Sequence, residues 1–150
     1  MSDPDRGPVL RRVGLDAALG LPPQRIHGRE PFHAALLAGQ FKTTACGACG
    51  QLSFPPVAVC PSCRSRSWVW RAVAPEGTLF SATRVHMAPR RWAAIVPYRL
   101  GIVDLDVGLR LLCLLLYPEG REPQLGEAVA LVVADARDGP LLAAVPRDPT

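Results

Sequence analysis

Four cysteines have the types and spacing to hold a metal. Cys46 and Cys49 stand in C-G-A-C-G, and ten residues later Cys60 and Cys63 stand in C-P-S-C. Each C-x2-C presents two thiolates about a tight turn, and two such knuckles close a tetrahedron around one zinc ion. Gly47 and Gly50 supply the backbone freedom the first turn needs. Pro61 lies inside the second turn, where its missing N–H is tolerated. Four thiolates leave no coordination position for water, so the expected zinc, one per chain, is structural rather than catalytic. Two disulfides would need an oxidising compartment, and a redox C-x-x-C would need a surrounding βαβ pattern. The N-terminal MSDPDRGP has no apolar core of a secretory signal, so the expected address is the cytoplasm. The fifth cysteine, Cys113, sits in the apolar run LRLLCLLLY and reads as a buried small hydrophobe.

These knuckles need strands to hold them. Phe41 to Ala45 leads into the first knuckle, Gln51 to Phe54 leaves it, and Ser67 to Ala72 follows the second with Trp68 and Trp70 on one face. Together they predict a three-stranded ribbon. Before it, Glu30-Pro31 opens a helix that Gly39 ends, with Phe32, Ala35 and Leu36 on one face. A helix this short must dock on something. Residues 1–29 hold scattered Pro and Gly without periodic apolar pattern and predict a flexible extension, with room for a short helical turn at Leu15 to Leu19.

Beyond Ala74-Pro75-Glu76-Gly77 the pattern is all β. Strands are predicted over Thr78–Val85, Tyr98–Leu105, Leu109–Tyr117, Glu127–Ala134 and Leu141–Val145, with a long loop over 86–97 and a turn at Asp106-Val107-Gly108. Five strands in so short a stretch suit a small closed barrel of the OB type. The predicted class is therefore mainly β: an extension over 1–29, a helix plus a rubredoxin-like zinc ribbon over 30–74, and a five-stranded OB barrel over 75–150.

Composition narrows the function. With 49% apolar residues, the 150-residue chain can build a core. Its 13 Gly and 16 Pro argue against a helical bundle. Neither Leu111–Tyr117 nor Ala128–Ala134, the longest apolar runs, can span a bilayer, so no membrane partner is expected. The net charge of +4 is uneven: residues 46–75 carry three Arg and no acid, whereas residues 76–150 carry eight basic and nine acidic side chains. Zinc ribbons and OB barrels both bind nucleic acid, and such a module is the alternative reading. The slightly acidic barrel half and its few aromatics (Phe80, Trp92, Tyr98, Tyr117) weigh against it. His27, His33 and His86 are scattered and form no set of nucleophile, base and orienter. Asp104 and Asp106 flank a turn and read as turn residues.

The succession E-P-F-H, C-G-A-C-G, F-P-P, C-P-S-C, G-T-L-F-S-A-T-R-V-H, V-P-Y-R-L-G-I-V-D-L-D-V-G-L-R and L-G-E-A-V closely resembles the zinc-ribbon/OB-fold family of acyl-CoA-associated proteins. The resemblance covers roughly residues 30–145 and implies a small non-catalytic accessory subunit of a thiolase-like enzyme. Relatives assist thiolases, sterol side-chain aldolases, ketoacyl-CoA synthases and acyltransferases. The ribbon and its preceding helix are implied as docking surfaces, with Phe32 and Leu36 as the helix's exposed apolar groups. The barrel is implied as an acyl-CoA or partner surface. Arg84, Arg90, Arg91 and Trp92 cluster in sequence at one barrel loop. Guanidinium forks clamp phosphate and an indole face stacks a base, which makes these four the ligand-binding candidates. The long N-terminal extension and the AAVPRDPT terminus without an aromatic depart from the family pattern.

Overall fold

The computed structural model describes residues 7–19 and 30–148. The first element is a short strand, β1 (Arg12–Gly14), and helix α1 (Glu30–Leu37) follows. The ribbon is β2 (Lys42–Cys46), β3 (Leu52–Ser53) and β4 (Trp68–Ala72). The barrel is β5 (Glu76–Val85), β6 (Tyr98–Leu105), β7 (Arg110–Leu115), β8 (Ala128–Ala136) and β9 (Gly139–Pro146). A 3-10 helix, Arg90–Ile95, interrupts the loop between β5 and β6.

Helix α1 begins with an acid at its positive dipole end. It stops where Gly39 turns left-handed at φ 76°. There the Gln40 N–H donates to the Ala35 carbonyl at 2.8 Å and the Gly39 N–H to Leu36 at 3.0 Å, the paired closure of a Schellman cap. The ribbon sheet runs β3-β2-β4, antiparallel throughout. Buried Thr43 donates its hydroxyl to the Ser53 carbonyl, so a polar side chain inside the ribbon is satisfied.

The barrel closes β5-β6-β7-β9-β8 and back to β5. Only the β7–β9 pairing within it is parallel. Gly77 is required where β5 crosses β6, because a Cβ there would lie 2.5 Å from the Asp104 carbonyl oxygen. A register shift between Leu79 and Ser81 leaves Phe80 51% exposed while Leu79 is fully buried. Leu79, Val103, Leu105, Leu111, Val129, Leu131 and Val133 fill the interior, and Leu10, Leu36, Phe41 and Val73 continue the same cluster toward the ribbon.

The expectation of a flexible extension over 1–29 fails for residues 7–19, and no helical turn forms at Leu15 to Leu19. Instead β1 pairs in parallel with β8, Arg12 opposite Val133 and Gly14 opposite Asp135. The reason lies in β8. β5 pairs only with its start, Ala128 to Ala130, so the later backbone has an open edge that a three-residue strand can take. Leu10, Ala17 and Leu19 are buried, and the Leu19 N–H donates to Asp138 Oδ1 at 2.9 Å. Arg12 grips Asp135 with Nε at 2.8 Å and Nη2 at 2.6 Å. Its Nη1 also donates to the Leu37 carbonyl at 3.1 Å, placing a cation at the negative end of α1. Residues 20–29, the rest of the expected extension, lie outside the described residues.

This strap explains the near-continuous apolar sequence of β7 and β8. Their outward residues Leu114, Val132 and Ala134 form a second buried cluster with Ala143. Val13 and Leu15 of the strap and Trp92 of the 3-10 helix pack over it.

Candidate metal centre and surrounding surfaces

The metal centre is made of two knuckles with the same hydrogen-bond pattern. The Gly50 N–H returns to the Cys46 carbonyl at 3.0 Å and the Arg64 N–H to the Cys60 carbonyl at 2.9 Å. The residue after each second cysteine is left-handed: Gly50 at φ 76° and Arg64 at φ 64°. Glycine takes that conformation freely, whereas arginine is strained there. In the first knuckle, Gly47 lies where a Cβ would stand 2.5 Å from Ser67 Oγ.

The four sulfurs lie within 4.8 Å of one another. Cys46 and Cys63 Sγ are 3.5 Å apart, and Cys49 and Cys60 Sγ 3.6 Å. A tetrahedral ZnS4 centre with Zn–S of about 2.3 Å has edges of about 3.8 Å, so the sulfurs already stand close to a zinc-filled arrangement. The amides of Cys49 and Ala48 point at Cys46 Sγ and draw its thiol down to about 6. The Cys63 amide likewise lowers Cys60, whereas burial and the neighbouring sulfurs push Cys49 up to about 12, so with no cation among them the four thiols do not all ionise. Thiolate, not thiol, is the zinc ligand. The donor set fits one structural zinc, buried on the Cys46 and Cys60 side and exposed on the Cys49 and Cys63 side. Cys113 is different. Burial pushes its thiol up to about 12, which suppresses its reactivity.

The helix residues Phe32 and Leu36, expected to be exposed, face the chain's own interior. Leu36 is 3% exposed and belongs to the main core. The Phe32 ring lies 6.2 Å from Phe41 and 5.6 Å from Phe54. The apolar face of so short a helix is used to join the ribbon to the barrel, and Leu37 is a large apolar residue that it leaves exposed.

Arg84 lies on β5 directly opposite Arg99 of β6. Both donate through Nη2 to Glu122 Oε1 at 2.6 Å. Arg90, Arg91 and Trp92 lie on the 3-10 helix. The Trp92 ring packs 5.1 Å from Tyr98 at 46° and covers the second core. Arg99 and Glu122 were not singled out in the sequence, because nothing local reveals that register. Asp104 pairs with Arg110 through both carboxylate oxygens. His33 is on α1 and His86 follows β5, while His27 lies outside the described residues.

Exposed apolar side chains are spread over the described surface, and two groups adjoin the ribbon. On the ribbon these are Val59, Trp68 and Val69, the two indoles Trp68 and Trp70 being 5.8 Å apart edge-on. Where ribbon meets barrel, Phe54, Pro55, Ile102, Leu111 and Leu112 line a groove of about 480 Å³. Beside it, the Arg110 guanidinium stacks on Phe80 at 3.8 Å.

Residues 33–69 match the rubredoxin-like zinc ribbon domain of ChsH2, and residues 70–134 match its C-terminal OB-fold domain. The chain belongs to this zinc-ribbon/OB-fold family. A DUF35 domain-containing scaffold protein of Methanocaldococcus jannaschii is 30% identical over 67 residues. That match takes in 44% of this chain and 48% of the relative, so it spans about half of that protein's length. Among solved structures, a chain of the Ltp2-ChsH2(DUF35) aldolase superposes with a TM-score of 0.73 at 26% identity, over 85% of this chain and 100% of that one. A DUF35-family protein of unknown function from Sulfolobus solfataricus shares the fold, with a TM-score of 0.53 at 15% identity over 78% of this chain and 83% of that one. No described helix is long and apolar enough to cross a membrane.

Proposed function

We propose that this chain is a non-catalytic accessory subunit that docks on a thiolase-like enzyme (a thiolase, aldolase or acyltransferase) and supports its acyl-CoA chemistry in the cytoplasm. The observation that carries this reading is the fold agreement with the aldolase-associated ChsH2 chain over that chain's full length. The chemistry of the metal centre supports it: four sulfurs saturate zinc and make it a structural pin rather than a Lewis acid. Two apolar areas, the Trp68–Trp70 indole pair on the ribbon and the Phe54–Leu112 groove, are of the kind that partners cover. A thiolate ribbon also suits a reducing compartment.

The test is affinity capture of the tagged, zinc-loaded chain from its native lysate at moderate salt, followed by mass spectrometry and an acyl-CoA turnover assay. The expected result is a stoichiometric thiolase-like enzyme whose turnover rises when the chain is added. Recovery of nucleic acid with strongly salt-dependent binding, or acyl-CoA turnover by the isolated chain, would overturn the reading.

A further inference from the structure

Arg84, Arg99 and Glu122 bring two guanidiniums to one carboxylate. Arg84 and Arg99 face each other across β5 and β6, and like charges directly opposite on a sheet are destabilising. Two other described arginines are each paired with one carboxylate. Arg12 clasps Asp135 and Arg110 clasps Asp104, each through Nε and Nη2 to both carboxylate oxygens. Here two guanidiniums share one oxygen of one carboxylate, so the trio keeps a net positive charge. Glu122 reaches in from the β7–β8 loop, its side chain 63% exposed, while Arg99 is only 19% exposed. The arginines are anchored in the sheet, and the carboxylate comes from a loop.

Arg99 also borders a separate cavity of about 230 Å³, whose walls include Leu15, Ile95, Pro97, Leu116 and Tyr117. One member of the arginine pair, Arg99, thus stands at the rim of a recess walled by both polar and apolar groups, while Arg84 lies beside it across the strand pair. A phosphate offers three acceptor oxygens and up to two charges, matching two guanidinium forks better than one carboxylate oxygen does.

We infer that Arg84 and Arg99 form a binding site for a phosphate monoester with a small apolar or aromatic substituent. Glu122 occupies the site in the free chain and leaves when the ligand arrives. The phosphate takes the position of Glu122 Oε1 between the guanidiniums, and the substituent enters the recess beside Arg99. This site does not depend on the accessory-subunit reading.

The test uses the full zinc-loaded chain, with inorganic phosphate and phenyl phosphate as probes, in titration calorimetry at fixed ionic strength. Glu122→Gln is expected to bind phosphate on the order of tenfold more tightly, because the competing charge is gone. Arg84→Gln is expected to bind it on the order of tenfold more weakly, with zinc content and thermal midpoint preserved. Phenyl phosphate is expected to bind the wild type more tightly than phosphate does. Three results would overturn the site: Glu122→Gln binding no more tightly, Arg84→Gln retaining wild-type affinity, or the exposed control Arg66→Gln losing as much. Equal affinity for the two probes would overturn the part assigned to the recess.

Discussion

In the ribbon the buried β2 side chains include Thr43, Thr44 and Ala45, small or hydroxylated, on strands of five, two and five residues. In the barrel the fully buried positions include Leu79, Val103, Leu131 and Val133, on strands of six to ten residues that close on themselves. The ribbon has little apolar area to bury, so the free energy holding its knuckles must come from four metal–sulfur bonds. The barrel buries two apolar layers, one inside and one under the N-terminal strap, and needs no cross-link. Phe41 belongs to both regions. It precedes β2, is fully buried, and packs edge-on against Phe54 at 5.4 Å. The contrast teaches that one chain can contain two stability mechanisms with different sensitivities, joined by a few aromatic rings.

The largest effect should come from breaking the metal centre. Cys49→Ser removes one of four ligands, and structural zinc contributes on the order of 10 kcal/mol in small ribbons. The expected outcome is loss of bound zinc and of amide protection across residues 46–67, while Leu79, Val103 and Leu131 stay protected in hydrogen exchange. Uniform loss of protection would merge the two regions into one cooperative unit.

Phe41→Ala acts at the joint. Removing a fully buried ring costs about 3–5 kcal/mol, and denaturant unfolding should show it with zinc still bound. A loss below about 1 kcal/mol would mean that the aromatic trio does not couple ribbon to barrel. The same packing means that Phe32→Asp would strain the fold as well as any docking surface.

The smallest effect concerns a polar tie of the barrel. Burial would raise the Glu127 carboxyl, but the Gln124 amide, the Tyr117 hydroxyl and the Arg121 guanidinium override it and hold it below the usual range. A carboxylate lowered on folding stabilises above its ordinary value of about 4.3 and loses that contribution as pH falls through the folded value. Glu127→Gln should therefore cost about 1–2 kcal/mol at neutral pH. Its deficit against wild type should shrink as pH falls below the ordinary carboxylate value and through the lower folded one, read as a difference in thermal midpoint. A deficit independent of pH would show that shape, not charge, makes the tie.

Several features were legible from residue order because their causes are local. The spacing of Cys46, Cys49, Cys60 and Cys63 prescribes two turns and one tetrahedral centre wherever the chain goes. Tyr98–Leu105 is a strand over the residues expected, and Gly39 ends α1 because a left-handed residue closes that cap. The five barrel strands were placed to within a few residues for the same reason. What residue order could not convey are relations between distant segments. Three residues of β1 carry too little pattern to announce a strand, and their place exists only because β5 leaves half of β8 open. Phe32 and Leu36 form an apolar helix face in either case, and only packing decided that it faces Phe41 rather than a partner. Trp92 became a cover for the second core, and Arg84 met Arg99 and Glu122, because sheet register sets contacts that no linear spacing encodes. Thus the sequence by itself determined the metal ligands, the turns and the approximate extents of the barrel strands. Tertiary structure alone decided which apolar faces are spent inside and which charges share a surface, because burial and register are properties of the closed fold.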